Sequence, residues 1–431
     1  MNIRKIALDM LLEYELCGKY VNLSLSSHMA DKLTPTERAQ LTALLYTTVE
    51  HKLTYDYYIS ALSGRAILDI DPYTQNILRL GLCQILDMSS VPDFAATNET
   101  VKLARNKGEA SFVNGILRAA VRKKDNMPLP PREKNYKRYL SLKYSFPQWI
   151  VKLFASLYGE AGCEELLHFY NTEKYTDITV NRIKNDIDTL KEKLEGKVHV
   201  DNGISLRIDK SLNPERLSGF AEGEFFVQDT ASATAVCALA PKENELLIDV
   251  CACPGGKSFA AAILMGDTGK IISFDIHESK ISLLESGVQR LGLKSITADV
   301  RDATLPDSTL FGTADKVICD VPCSGLGVLG KKPDLRYKEE ASLDELPALQ
   351  YKILTESARY LKSGGEILYS TCTLNHEENE NVVRKFLAEN PRFSPVEFSV
   401  GKITSDGGML TLVPHIHKTD GFFMAKLKKE R

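Results

Sequence analysis

The segment that most narrows the possible folds runs from residue 245 to 265. An apolar run, ELLIDV, passes directly into CACPGGK and then into SFAAAILM. A short buried strand, a glycine loop and a helix in immediate succession form the opening unit of an open α/β sheet. Four further strand-like runs follow: KIISFD, SITADV, DKVICD and EILYST, separated by helical stretches of ten to twenty residues. That alternation predicts a doubly wound, mainly parallel sheet. FFMAKLKK, after Asp420-Gly421, adds a final strand.

Ligands of such sheets lie beyond the carboxyl ends of the strands. The loop there is neither GxxxxGK[ST] nor GxGxxG, so it lacks the usual phosphate-cradling patterns. Gly255 and Gly256 allow a close approach of backbone to a bound group. In place of a phosphate grip there is a series of acids at strand ends. Asp249 closes the first strand and Asp275 the second, where a carboxylate can accept both hydroxyls of a ribose. Asp302 follows the third and suits an adenine amino group, with Asp299 a competitor for that contact. Asp320 closes the fourth. Acids without a phosphate grip suit S-adenosylmethionine, a cationic sulfonium. The expected cofactor site is Cys251, Ala252, Cys253, Pro254, Gly255, Gly256 and Lys257 with Asp275, Asp302 and Asp320.

Two cysteines sit just past neighbouring strand ends, in DVPCSG (Cys323) and STCTLNHEEN (Cys372). A thiolate that adds to carbon 6 of cytosine makes carbon 5 enamine-like, able to take a methyl group. Proton loss and thiolate expulsion then restore the ring. Asp320, three residues before Cys323, is placed to bond the N3/N4 edge of the base. These residues alone leave open which thiol attacks. The nine cysteines are an odd number, with no zinc spacing and no His partner, so reduced thiols and no metal are expected. Cys17, Cys83, Cys163 and Cys237 lie among apolar residues and read as small core side chains. His376 reads as a surface residue.

Before this region the periodicity changes. Residues 1–124 repeat their apolar positions every three or four residues and predict a helical bundle, with helix starts at Thr34-Pro35 and Asp71-Pro72. DNMPLPPREKN (125–135) is a linker. Helix returns over 140–171, followed by strands TDITVNRIK, KVHV and ISLRI and a short helix, IDTLKEKLEG. The net charge is only −3, but residues 102–143 hold twelve Lys/Arg against three acids. Such a patch favours a phosphate backbone. With 43% hydrophobic and 26% charged residues the chain is neither disordered nor rod-like. No apolar run reaches the roughly 18 residues of a membrane span, and the acid-containing N-terminus reads as no targeting segment. A cytoplasmic location is expected.

DVCACPGGK, DVPCSGLG and STCTLNHEENE, with FFVQDTAS, KKPDLRY and DGFF, resemble the RNA (cytosine-C5) methyltransferases of the NOL/NOP/Sun family. VPDFAATNETVKLA and FVNGILR resemble a NusB-type RNA-binding domain. The resemblance implies a Rossmann-like class I methyltransferase domain at 225–431. A linker with a small α+β RNA-binding subdomain would fill 131–224, and a NusB-like all-α domain 1–130. It implies Cys372 as nucleophile and Cys323 as the thiol assisting release, with Asp320 in the catalytic set. It implies one cytosine of 16S ribosomal RNA as target, at position 967 in the usual numbering of that RNA. The RNA would be free or incompletely assembled, and the enzyme a monomer that does not act on DNA. Lys331, Lys332 and Arg336 would hold phosphates near the target. The rival readings are another ribosomal or transfer RNA cytosine as target, or a non-catalytic RNA-binding factor.

Overall fold

A computed structural model describes residues 2–17, 33–172, 175–194, 199–200, 202–208, 213–305 and 307–430. Lys197 and Val198 of the expected KVHV strand, and Glu195 and Gly196 at the end of the expected short helix, lie outside the described residues. The chain folds as two compact units. One is 1–171 with 332–338, and the other is 172–331 with 339–431. Among the described residues no helix is long and apolar enough to cross a membrane.

The first unit is helical: α1 (Ile3–Cys17), α2 (Pro35–Glu50), α3 (Lys52–Ser63), α4 (Pro72–Leu86), α5 (Asp93–Val101), α6 (Lys107–Arg122), α7 (Tyr136–Tyr144) and α8 (Gln148–Thr172). The expected starts hold. Thr34 forms a capping box with Glu37, and Asp71 caps α4 through the Thr74 amide. The long α8 is broken at Gly159, which takes φ 71°. Ile77, Leu78, Leu80 and Leu82 of α4 are fully buried in the centre of the unit. Arg79 on the same helix is buried too, paired with Asp56 and Glu15, each at 2.6 Å.

Charge in this unit is more balanced than the sequence window implied. Lys102, Arg105, Lys124, Arg132 and Lys143 pair with Glu99, Asp71, Asp93, Glu160 and Glu164, all outside residues 102–143. The other seven basic residues of that window make no ion pair among the described residues. Arg336 corrects the expectation of a phosphate clamp. It is fully buried, donates to Glu50 and stacks 3.9 Å from the centre of the Phe146 ring. Cys17 is also corrected, since it is exposed at the end of α1, whereas Cys83 and Cys163 are buried.

The second unit begins with a small antiparallel sheet, β2-β3-β1-β4, of β1 (Thr176–Val180), β2 (His199–Val200), β3 (Ser205–Ile208) and β4 (Phe225–Val227), with α9 (Ile187–Lys193) after β1. The main sheet follows. Its strands are β5 (Leu246–Asp249), β6 (Lys270–Asp275), β7 (Ile296–Val300), β8 (Ala314–Asp320) and β9 (Leu361–Thr371), then β10 (Phe393–Pro395) and two more joined below. A short pair, β11 (Ser399–Val400) and β12 (Ile403–Thr404), stands apart from it. β13 (Met409–Leu412) pairs with β14 (Phe422–Lys429), and the main order is β10-β14-β9-β8-β5-β6-β7. β5 to β9 pair in parallel, and β14 adds antiparallel to β9.

Side chains alternate across this sheet with the period of two that a strand imposes. Leu247, Ile318, Leu368 and Met424 share one core with α10 (Thr230–Leu239), α11 (Gly256–Leu264) and α12 (Glu278–Leu291). Ile248, Val317, Ile367 and Phe423 share the other with α13 (Leu346–Ala358) and α14 (Glu380–Glu389). The chain steps outward from β5 to β6 and β7, then returns to β8 on the other side of β5. This reversal makes the carboxyl ends of β5 and β8 the natural ligand crevice.

Candidate active site

The parallel register fixes which residues meet in that crevice. Asp249 stands opposite Ile318, and Asp320 opposite Ser370. Cys323 and Cys372 therefore leave neighbouring strands within three residues of a shared register line. Their sulfur atoms lie 3.4 Å apart. The Cys323 thiol is pushed well above the ordinary thiol range. Its hydrogen bond with Cys372 is the main cause, followed by burial and the charges of Cys372 and Glu378.

Asp320 is held at both oxygens. Lys257 Nζ donates to Oδ2 at 2.7 Å, and Ser370 Oγ to Oδ1 at 2.7 Å. Lys257 belongs to the glycine loop and also lies 5.1 Å from the centre of the Phe422 ring. The one cation of that loop is thus committed to a carboxylate and is not free for a phosphate.

The loop itself is tightly built. Gly255 takes φ 113°, and a Cβ there would lie 2.3 Å from the Phe259 ring. Ala252 N donates to Phe274 O at 2.7 Å, tying the loop to the end of β6. Burial, with the charge of nearby Asp275, pushes the Cys253 thiol up to about 12. Cys251 is also raised, chiefly by burial. Neither is in the state of a reactive thiolate. Asp275 accepts from the His277 amide at 3.0 Å.

Asp302 and Asp299 separate by position. Asp299 stands within β7, opposite Phe274, and its carboxylate engages Arg301. Asp302 lies past the strand end, where its Oδ1 accepts from the amide and hydroxyl of Thr304. Of the two, Asp302 is the one beyond the carboxyl edge, the side on which ligands of such sheets bind.

The chemistry of these groups fits a cationic adenosyl cofactor. Asp249 is fully buried at the end of β5. Its Oδ2 accepts from Ser258 Oγ at 2.7 Å, while Oδ1 has no hydrogen-bond partner among the described residues. A buried carboxylate oxygen left open beside a glycine loop matches a bound ammonium or sulfonium better than a phosphate. Burial, with the charge of Asp320, raises the Asp249 carboxyl to about 7.

Of the other expected residues, Lys331 pairs with Asp229 and Asp420 at the edge of the FFVQDTAS and DGFF motifs. It is a structural tie and not a free phosphate contact. Lys332 is exposed, and His376 is half exposed as expected. Sequence reasoning missed Ser370, Ser258, Ser324 and Glu378. Ser370, Ser324 and Glu378 lie inside the quoted motifs and Ser258 directly follows one, which was the available signal. The partners of the first three, however, stand about fifty positions away in sequence.

Similarity to known proteins agrees with this geometry. The family model of the 16S rRNA methyltransferase RsmB/F matches residues 236–428, and that of the NusB family residues 1–122. A probable ribosomal RNA small subunit methyltransferase B of Bacillus subtilis (strain 168) is 34% identical over 100% of this chain and 99% of its own. One of Synechocystis sp. is 37% identical over 92% of each. The crystal structure of PH0851 superposes with a TM-score of 0.79 at 29% identity, covering 99% of this chain and 97% of that one. NSun6 from Pyrococcus horikoshii with SFG shares the fold at a TM-score of 0.59 and 21% identity, over 67% of this chain and 99% of its own. The chain belongs to the ribosomal RNA small subunit methyltransferase B family of S-adenosylmethionine-dependent methyltransferases.

Proposed function

We propose that the chain methylates carbon 5 of a single cytosine in 16S ribosomal RNA, the position 967 implied by the family resemblance, through a covalent thiol adduct. The observation that carries this reading is the pair of thiols, 3.4 Å apart, at the ends of adjacent strands beside a Lys257–Asp320 pair. Cys372 is the nucleophile. A neighbouring thiol that keeps its proton stabilises a thiolate beside it, and the upward shift at Cys323 favours Cys323 as the proton holder. Cys372 adds to carbon 6, and the electron pair pushed to carbon 5 takes the methyl group. Water takes the carbon-5 proton, and the electron pair of that C–H bond re-forms the 5,6 double bond and expels Cys372 as its thiolate, with Cys323 assisting release. Asp320, anchored by Lys257 and Ser370, bonds the N3/N4 edge of the ring. Residues 251–257 with Asp275, Asp302 and Asp320 would hold S-adenosylmethionine, which would supply an electrophilic methyl group. The buried Asp249 carboxylate would suit its positive charge.

Residues 225–431 carry the chemistry in this reading, and 1–130 with 131–224 bind RNA. A cytosine in a helix would have to leave the stack, at a cost of a few kcal/mol, so an accessible loop or incompletely assembled subunit is the favoured substrate. The protein acts as a monomer on RNA, not DNA, in the cytoplasm.

The test compares wild type, Cys372→Ser and Cys323→Ser on protein-free small-subunit RNA with methyl-labelled cofactor. The adduct should accumulate in Cys323→Ser and be absent, with product, in Cys372→Ser. An exchange of the two results reassigns the thiols. Labelling at another cytosine moves the target, and RNA binding without labelling on free or partly assembled substrates refutes the activity.

A further inference from the structure

The HEEN run after Cys372 has no part in the reaction above, yet Glu378 within it is fully buried between the two thiol loops. Its Oε1 accepts from Ser324 Oγ at 2.5 Å, Asn375 Nδ2 at 3.2 Å and Thr373 Oγ1 at 3.4 Å. Its Oε2 accepts from the Ser324 amide at 2.8 Å and Gln350 Nε2 at 3.0 Å. The same Gln350 nitrogen donates to Pro322 O at 3.0 Å. One carboxylate thus fixes the residues on both sides of Cys323, one through Gln350, and the residue that follows Cys372.

The next residue completes the bracket. Asn379 accepts from Thr371 Oγ1 at 2.6 Å and donates to Thr373 O at 2.9 Å. Cys372 is therefore held from both neighbours by the HEEN run, and Cys323 from both neighbours by Glu378 and Gln350. A carboxylate is an acceptor only, with about four lone-pair sites. Every group aimed at Glu378 is a donor, and the two at Oε2 are N–H groups that cannot reverse. No neutral isostere satisfies this set. Glutamine keeps the size but must turn its own N–H toward the Ser324 and Gln350 donors or toward Asn375.

We propose that Glu378 is a positioning residue that sets the spacing between the Cys323 and Cys372 thiols and, through it, the release of the methylated base. This rests on the thiol chemistry proposed above. The negative charge of Glu378 acts in the same sense, adding to the influence of Cys372 and burial that keeps the proton on Cys323.

The first readout needs no RNA. Dibromobimane bridges two thiols only when they lie close together. The full-length protein is treated with it, and the peptide pair linking Cys323 to Cys372 is quantified by mass spectrometry. Wild type should give the bridged pair, and Glu378→Ala and Glu378→Gln should lose most of it. Melting temperature and S-adenosylmethionine affinity are measured on the same samples.

In methylation assays both variants should lower kcat by about 100-fold, the scale of a misplacement of about 1 Å, while KM for RNA moves little. Adduct should build up relative to product, as in Cys323→Ser. Glu378→Gln carries the test if Glu378→Ala does not fold. Bridging at the wild-type level in a folded variant overturns the proposal, as does a kcat loss that only tracks the folded fraction. A wild type that bridges its thiols but methylates no cytosine refutes the thiol chemistry instead, and the bridging yields then decide the role of Glu378 alone.

Discussion

Asp249→Asn gives the most quantitative test of how the cofactor loop is built. The wild-type carboxyl is fully buried and titrates near 7, against 3.8 in an exposed chain. At 1.36 kcal/mol per pH unit, that difference is on the order of 4 kcal/mol. The sign follows from linkage. Below pH 3.8 both folded and unfolded states carry the proton, and Asp249 contributes nothing unfavourable. Between 3.8 and about 7 the unfolded chain ionises while the folded one keeps its proton, so stability falls as pH rises. Above about 7 the full penalty of a buried charge is present. Asparagine has no such titration. The stability of Asp249→Asn relative to wild type should therefore climb by about 4 kcal/mol between roughly pH 4 and pH 7 and then level off.

Trp149, the only tryptophan, lies in the helical unit, so its fluorescence reports the wrong part of the chain. Scanning calorimetry at a series of pH values, following the transition of the α/β unit, is the suitable assay. Parallel pH profiles for wild type and variant would refute the placement of a buried carboxyl, with one oxygen unbonded among the described residues, at the end of β5. Adding S-adenosylmethionine should flatten the wild-type slope, since a cation near Oδ1 restores the ionised form.

Four further outcomes follow from the geometry. Lys257→Met removes the cation on Asp320 Oδ2 and should lower kcat by about 100-fold or more in a folded protein, seen in single-turnover methylation. Gly327→Ala places a Cβ 1.9 Å from Gly421 O, and should destabilise the α/β unit by about 2–3 kcal/mol in calorimetry. Arg336→Ala breaks a buried pair with Glu50 and should cost the helical unit about 3 kcal/mol, here well read by Trp149 fluorescence in urea. Arg118 and Arg122, which make no ion pair among the described residues, are candidate phosphate contacts. Replacing either with Gln should weaken RNA binding and reduce the slope of log K against log salt by about 1.

The α/β sheet was legible because its information is local. Short apolar runs ending in Asp marked β5, β6 and β8, and the strand-helix alternation made a mainly parallel sheet predictable. Cys323 and Cys372 could be paired from sequence because each follows a strand end by two or three residues or fewer. Their shared environment could not. Nothing in the run HEEN marks Glu378 as buried, and only the fold brings Ser324 and Gln350 to it. Arg336 and Lys331 failed for the same reason. A basic residue in a polar run reads as surface, but Glu50 lies 286 positions from Arg336 and Asp229 102 from Lys331. Composition likewise overstated the free charge in 102–143, because the neutralising acids stand outside that window.

The placement of residues 332–338 within the helical unit has a consequence for synthesis. Helices α1 to α8 leave the ribosome first, yet the guanidinium that fills the space beside Glu50 and Phe146 is encoded far downstream. At roughly 5–20 residues per second, the stretch from 171 to 336 takes about 10–30 s to translate. During that interval the helical unit lacks one of its own buried side chains. Its final closure must wait until most of the α/β unit has emerged, so the first part of the chain to be made is among the last to be finished.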